Sequence, residues 1–131
     1  MDFLMTGLHV PSDRIQLLLG SHGPATCLDH TFERILKPTR TQIVESLSSL
    51  ANNGAIDSGD QIMVFYSGHG TSYRCNDDFT TTKIASTGSI QAICPLDRDS
   101  AISPPPIKIR DISGREISVI LSEIVESRVP A

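Results

Sequence analysis

The main hydrophobic feature of the chain is a run of five apolar residues, 62–66, which follows a turn signal at Gly59 and Asp60. Just beyond the run, His69 stands between two glycines. A short, unbroken apolar run bounded by glycine is typical of a strand covered on both faces, as in a parallel sheet. Open parallel sheets bind ligands beyond the carboxyl ends of their strands. The pattern predicts a buried strand that ends near a functional histidine; a plain strand-to-loop turn is the alternative.

Two segments have the pattern of amphipathic helices that begin at a capping box. In the first, Thr39 is the N-cap and Gln42 follows three residues later; in the second, Ser113 precedes Glu116 in the same way. Both carry apolar residues at helical spacing, which are Ile43, Leu47, Leu50 and Ala51 in the first helix and Ile117, Ile120, Leu121, Ile124 and Val125 in the second. Each apolar stripe needs a sheet or another helix to pack against.

The other elements are shorter. Residues 14–19 are a strand candidate, so this strand, the first helix and the apolar run predict one βαβ unit with a right-handed crossover. Residues 1–8 have the pattern of the end of a helix, and a short helical piece is expected at 32–36. Residues 71–110 show little periodicity apart from an apolar piece at 90–93, which predicts a long functional or mobile loop.

Composition narrows the class of protein. With 131 residues and 39% apolar residues, the chain is one domain or part of one, and its two convincing strands are too few for its two helices. The net charge of −4 does not suggest nucleic acid or an anionic membrane as partner, and no run is long enough to span a bilayer. Three cysteines without a tight spacing favour a reducing compartment such as the cytoplasm.

Several kinds of site fit the sequence poorly. A dinucleotide loop at Gly68 fails because Tyr73 occupies the last glycine position. A zinc site built from His22, Cys27 and His30 matches no known ligand spacing. Ser67 lacks the Gly-x-Ser-x-Gly elbow of a serine nucleophile, so it is interpreted as the wall of a pocket.

A Cys–His pair fits His69 better, since an imidazole can activate a thiolate and then protonate the leaving amine. Cys94, in Gln-Ala-Ile-Cys-Pro, superficially resembles the caspase nucleophile motif, but an Ile intrudes and Pro follows. Cys94 is therefore interpreted as a structural thiol on a short strand. Cys27 and Cys75 lie in polar stretches without a supporting pattern, so none of the three cysteines is expected to be the nucleophile.

Taken together and in order, several segments resemble the caspase-like cysteine peptidases, in the metacaspase-type branch found in fungi. The most recognisable is Tyr-Ser-Gly-His-Gly at 66–70. The segments that carry the resemblance are 10–15, 38–40 with the helix that follows, 53–60, 66–70, 88–98 and 111–117. They cover nearly the whole chain, and their order is more specific than any one of them.

The resemblance implies an α/β fold, a caspase-like three-layer sandwich with a mainly parallel sheet, and peptide-bond hydrolysis by a Cys–His dyad. His69 matches the catalytic histidine, and Gly70 matches the glycine whose backbone N–H helps to bind the oxyanion. Ser67 matches a position lining the pocket for the substrate residue before the cut. In the metacaspase type that pocket is acidic and takes Arg or Lys.

The chain departs from the family pattern in two ways. The family's nucleophile lies in an Asp-x-Cys-His-Ser-Gly segment on the strand after the helix that here begins near Ser113, and that segment and the family's first strand are both missing. Of the acidic cluster of calcium-dependent members only Asp77 and Asp78 remain, so no cofactor is expected, with calcium as the alternative. We therefore expect residues 1–131 to be a partial large-subunit domain for protein or peptide substrates, inactive alone and completed by flanking sequence. The alternatives are a non-catalytic pseudo-peptidase that acts in interaction or regulation, and a truncated product that does not fold stably.

Overall fold

The computed structural model describes residues 3–20, 35–74, 89–98 and 108–128, and the chain is mixed α/β with small sheets. It divides into two compact units, Met1–Pro38 and Thr39–Ala131, which are described separately. The prediction of one partial peptidase domain over 1–131 stays a prediction.

The first unit contains two short helical turns and a parallel strand pair. A π-helical turn spans Phe3–Gly7 and a 3-10 turn spans Ser12–Arg14. Strand β1, Leu17–Leu18, pairs in parallel with β2, Ile35–Leu36. The strand predicted at 14–19 is thus confirmed at two residues. The helical piece predicted at 32–36 is wrong at its last two residues, where the backbone pairs with β1, and residues 32–34 lie outside the described residues.

Both predicted helices of the second unit are present. Helix α1, Arg40–Ser49, continues as a 3-10 turn at Leu50–Asn52, and α2 spans Gly114–Glu126. The hydroxyls of Thr39 and Ser113 accept hydrogen bonds from the third residue of their helices, at 3.3 and 3.2 Å. The two capping residues therefore start the helices where the sequence predicts, because each satisfies a backbone N–H that has no partner within its helix.

The sheet of the second unit is antiparallel, in the order β3-β4-β5. These strands are Gly70–Arg74, Ser89–Ile93 and Ile112–Ser113. Helix α2 contacts α1, the 3-10 turn that follows α1, and the strands β4 and β5. Four apolar residues of the described chain are buried, two on the strands and two on α2. They are Ala92, Ile112, Ile120 and Ile124. The apolar piece predicted at 90–93 is thus a strand, and the predicted loop begins instead with the strand β3.

Residues 62–66 differ most from the prediction. They belong to no strand, and Met63 and Phe65 are largely exposed. The predicted strand covered on both faces is therefore wrong in this structure, and so is the βαβ unit, because β1 pairs with β2 instead. A run this apolar is buried only where other elements cover its faces, and no described strand of the second unit pairs with it. Parallel pairing occurs between β1 and β2 alone among those residues, and the caspase-like sandwich stays a prediction.

Candidate functional site

His69 lies directly before β3, and its main chain is held by two hydrogen bonds. Its carbonyl oxygen accepts from the backbone N–H of Cys94 at 2.9 Å and from the hydroxyl of Tyr66 at 2.7 Å. The residue is exposed, and its ring makes no hydrogen bond within the described residues. The imidazole is therefore open to solvent, while its backbone position is fixed.

The Tyr66 ring reaches the His69 carbonyl by folding over Gly68. A Cβ atom added at Gly68 would lie 2.6 Å from the Tyr66 hydroxyl oxygen and 2.8 Å from its ring. These distances are too short for any side chain without moving the tyrosine ring. The hydrogen bond that anchors His69 thus requires glycine at position 68. The sequence motif alone does not show why this residue is glycine.

The other two predicted site residues flank the histidine. Gly70 is the first residue of β3 and pairs with Ile93, and a Cβ atom there would lie 3.4 Å from the Ala92 carbonyl oxygen. Ser67 is exposed, and its hydroxyl makes no hydrogen bond within the described residues. The oxyanion role of Gly70 and the pocket role of Ser67 stay predictions.

Cys94 is hydrogen-bonded to His69 through the main chain, a contact that its interpretation as a structural thiol did not include. It was expected on a short strand and lies just after one, since β4 ends at Ile93. It is a free, half-buried cysteine whose backbone N–H donates to the His69 carbonyl oxygen. Its sulfur accepts a hydrogen bond from the Arg98 guanidinium at 3.1 Å. Antiparallel pairing of β3 with β4 brings the two residues together, and that pairing could not be read from local sequence.

Beyond Cys94, three polar side chains contact one another in sequence, and they are Arg98, Asp111 and Tyr73. Arg98 Nε lies 3.2 Å from Asp111 Oδ1, and the other carboxylate oxygen of Asp111 accepts a hydrogen bond from the Tyr73 hydroxyl. The Asp111 side chain is only 2% exposed, so its charge depends on these partners. No sequence signal pointed to this cluster, because its members are up to 38 residues apart in the chain.

Both tyrosines near His69 are held in the protonated form. Partial burial, followed by the neighbouring Cys94 thiol, raises the pKa of Tyr66 above its usual value. The hydrogen bond to Asp111, followed by loss of solvation, raises the pKa of Tyr73. Both phenols therefore remain hydrogen-bond donors through the neutral and mildly alkaline range.

Asp97 lies in segment 88–98 of the resemblance, and its carboxylate makes a structural contact. Its carboxylate accepts the backbone N–H of Arg40 at 2.9 Å, at the first residue of α1. The Arg40 guanidinium donates to the Arg110 and Asp111 carbonyls at 3.4 and 3.2 Å and pairs with Glu116 at 2.5 Å. Glu116 thus contacts Arg40 rather than completing its capping box, and this cluster ties the start of α1 to the start of α2.

Within the described ranges, no group of three or more His, Cys, Asp and Glu side chains is placed to hold a metal ion. The zinc alternative at His22, Cys27 and His30, the acidic pair Asp77 and Asp78, and Cys75 lie outside those ranges. No helix in the described part of the chain is long and apolar enough to cross a membrane.

No protein-family model, no curated protein and no solved structure matches this chain.

Proposed function

We propose that the chain is the histidine-bearing part of a caspase-like cysteine endopeptidase, in which His69 is the general base. The observation that carries the proposal is the exposed imidazole on a main chain held by Tyr66 and Cys94. A general base must lie within hydrogen-bond reach of the proton that it takes, and a fixed backbone limits the positions that its ring can occupy.

In this proposal His69 takes the proton of a cysteine thiol and returns it to the leaving amine after the thiolate attacks the scissile carbonyl. The backbone N–H of Gly70 stabilises the oxyanion, and Ser67 lines the pocket for an Arg or Lys side chain of a protein or peptide substrate. The nucleophile comes from polypeptide outside these 131 residues, because no cysteine of the chain stands in a segment like that of the family's nucleophile.

The chain alone is then expected to hydrolyse no peptide bond, since removing one partner of a nucleophile–base pair removes most of the rate. The test compares the 131-residue chain with the same chain extended by the coding sequence that follows it. Both are incubated with fluorogenic peptides that carry Arg, Lys or Asp before the scissile bond. We expect no turnover by the shorter protein, and cleavage after Arg and Lys by the extended one.

Cys94 needs its own control because it contacts the His69 backbone. If the 131-residue chain cleaves peptides and both His69→Asn and Cys94→Ser abolish that cleavage, the nucleophile is already present and an external thiolate is ruled out. Cleavage that survives His69→Asn would contradict the role of the histidine.

The second candidate function is a pseudo-peptidase that keeps the fold and acts by binding another polypeptide. The exposed apolar side chains of residues 62–66 favour it, because soluble monomers rarely leave a contiguous apolar patch open. An extended protein that lacks an Asp-x-Cys-His-Ser-Gly segment and cleaves none of the peptides would support this candidate over the first.

A further inference from the structure

The sheet of the second unit sets His69, Cys94 and Asp111 in one row. The Cys94 N–H donates to the His69 carbonyl oxygen at 2.9 Å, so the antiparallel pairing of β3 with β4 continues one residue beyond Gly70. The register of β4 with β5, continued by one residue in the same way, sets Asp111 opposite Cys94. Cys94 therefore lies between His69 and Asp111 across the three chain segments.

The main chain of Asp111 is fixed on both sides of its side chain. Its carbonyl oxygen accepts a hydrogen bond from the Arg40 guanidinium at 3.2 Å. The next residue, Ile112, is fully buried and pairs with Ile93 of β4. The Asp111 side chain is itself only 2% exposed. A side chain that contacts this carboxylate is therefore tied to a well-packed part of the second unit.

The Asp111 carboxylate contacts one side chain from each of the two segments that flank His69. One oxygen accepts a hydrogen bond from the Tyr73 hydroxyl of β3. The other oxygen lies 3.2 Å from Arg98 Nε, and Arg98 Nη1 donates to the Cys94 sulfur at 3.1 Å. A single buried charge is therefore connected to His69 by two routes, one along β3 and the other through Arg98 and Cys94.

The route through Arg98 depends on charge. Asp111 Oδ1, the oxygen nearest to Arg98, has no hydrogen-bond partner in the described part of the chain. A buried carboxylate oxygen in that position is costly unless an opposite charge lies close to it. The Arg98 guanidinium supplies this charge and cannot move away without leaving the carboxylate uncompensated. Asp111→Asn, which keeps the shape of the side chain, would remove the attraction and preserve the packing.

We propose that Asp111 is a positioning residue for His69. Its charge fixes the Arg98 guanidinium, Arg98 fixes Cys94, and the Cys94 N–H fixes the His69 main chain. Asp111 changes the reaction rate only through the position of the His69 ring, because a displacement of about 1 Å is enough to slow a reaction. The effect on catalysis rests on the proposed function of His69, whereas the effect on its main chain does not.

Hydrogen exchange of backbone amides, followed by NMR on the 131-residue chain, tests the positioning without any peptidase activity. The Cys94 N–H reports the anchor of His69. The Ala92 N–H reports the sheet itself, since hydrogen-bonded pairs alternate in an antiparallel ladder and Ala92 pairs with Thr71. We expect Asp111→Asn to speed exchange at Cys94 by about tenfold or more and at Ala92 by less than about twofold.

Two further variants control this measurement. Arg98→Gln breaks the same route at a residue whose side chain is 37% exposed, so it is expected to give the same pattern even if Asp111→Asn does not fold. Ile124→Ala weakens the unit at a buried residue of α2, so it is expected to speed exchange at Cys94 no more than at Ala92. Equal acceleration of the two amides in Asp111→Asn and Arg98→Gln, or none in either, would overturn the proposal.

The kinetics of the extended protein on an Arg-containing peptide test the consequence for catalysis. Asp111→Asn is expected to lower kcat by about tenfold or more and to leave KM within about twofold, because the substrate contacts are unchanged. Ile124→Ala, measured well below its unfolding temperature, is expected to keep both constants. Faster exchange at Cys94 with an unchanged kcat would contradict the catalytic part of the proposal. A wild-type extended protein that cleaves nothing would contradict the peptidase function instead, and the exchange rates alone would then decide the positioning.

Discussion

Tyr66 and Cys94 both donate a hydrogen bond to the carbonyl oxygen of His69, so the position of this histidine depends on residues outside its own glycine-flanked motif. The motif could be found from sequence because its residues are adjacent. Its anchors could not, since one requires the antiparallel pairing of β3 with β4 and the other the fold of the Tyr66 ring over Gly68. Local sequence therefore identifies the candidate base but not the contacts that hold it.

The Tyr73–Asp111 hydrogen bond predicts a pH effect. Because the pKa of Tyr73 is raised above its usual value of 10.0, the native state keeps a proton that the unfolded chain loses. The free energy of unfolding is expected to fall as the pH rises above about 10, through the raised pKa. Ultraviolet titration of phenolate measures the raised pKa itself, since the chain has two tyrosines and no tryptophan.

The matched variants for this titration are Asp111→Asn and Tyr73→Phe. In Asp111→Asn the Tyr73 transition is expected to move down toward the usual value, and in Tyr73→Phe it is expected to disappear, leaving that of Tyr66. An Asp111→Asn titration curve identical to the wild type would show that the hydrogen bond does not set this pKa.

Arg40 gives a prediction about stability. Its guanidinium contacts two carbonyls and Glu116, with about 30% of each paired side chain exposed, at 29% for Arg40 and 32% for Glu116. Arg40→Ala is expected to lower the free energy of unfolding by about 1–2 kcal/mol, a value reduced for solvent screening. Urea unfolding measures the change. Arg40→Lys is expected to recover only part of it, because an ammonium group lacks the planar fork of a guanidinium.

The control for Arg40 is Arg115→Ala, at an exposed arginine of α2. Its effect is expected to stay within about 0.5 kcal/mol. Equal losses at the two arginines would mean that charge alone, and not the contacts between the starts of α1 and α2, accounts for the effect.

Among the elements, α2 was the most predictable. Its start, its apolar spacing and its length are all local properties, and the structure has Ser113 as its cap and Ile120 and Ile124 as its buried residues. The strand β3 was missed because Thr71, Ser72 and Tyr73 form no alternating apolar pattern and pair with residues 17–21 positions later. Residues 62–66 were predicted to be buried because composition reports how apolar a segment is, not whether neighbours cover it.

The packing of α2 against the rest of the second unit gives a prediction at the scale of the element. Ile124 is buried and the next residue, Val125, is exposed. Ile124→Ala is expected to lower the free energy of unfolding by about 2–4 kcal/mol, the usual cost of such a cavity. Val125→Ala is expected to change it by less than about 0.5 kcal/mol. Thermal and urea unfolding measure both; similar losses would mean that α2 does not pack by this face.

For the whole molecule, the mixed α/β class followed from the sequence, whereas the arrangement of strands did not. The described strands form one parallel pair in the first unit and one antiparallel sheet in the second. Strand order depends on contacts between distant residues, which no local pattern in this chain records. The proposed peptidase function accordingly depends on the motif order and on the His69 site, which uses only the pairing of β3 with β4 among the described sheets.

The most direct measurement of the central claim is kcat/KM on an Arg-containing peptide for the extended protein, with His69→Asn compared with His9→Asn. Both histidines are exposed, and asparagine suits the left-handed backbone of His9, whose φ is 54°. We expect a fall of about 10³-fold or more for His69→Asn, since asparagine cannot relay a proton, and no change for His9→Asn. Equal rates in the two variants would contradict the assignment of His69 as the base of a cysteine peptidase.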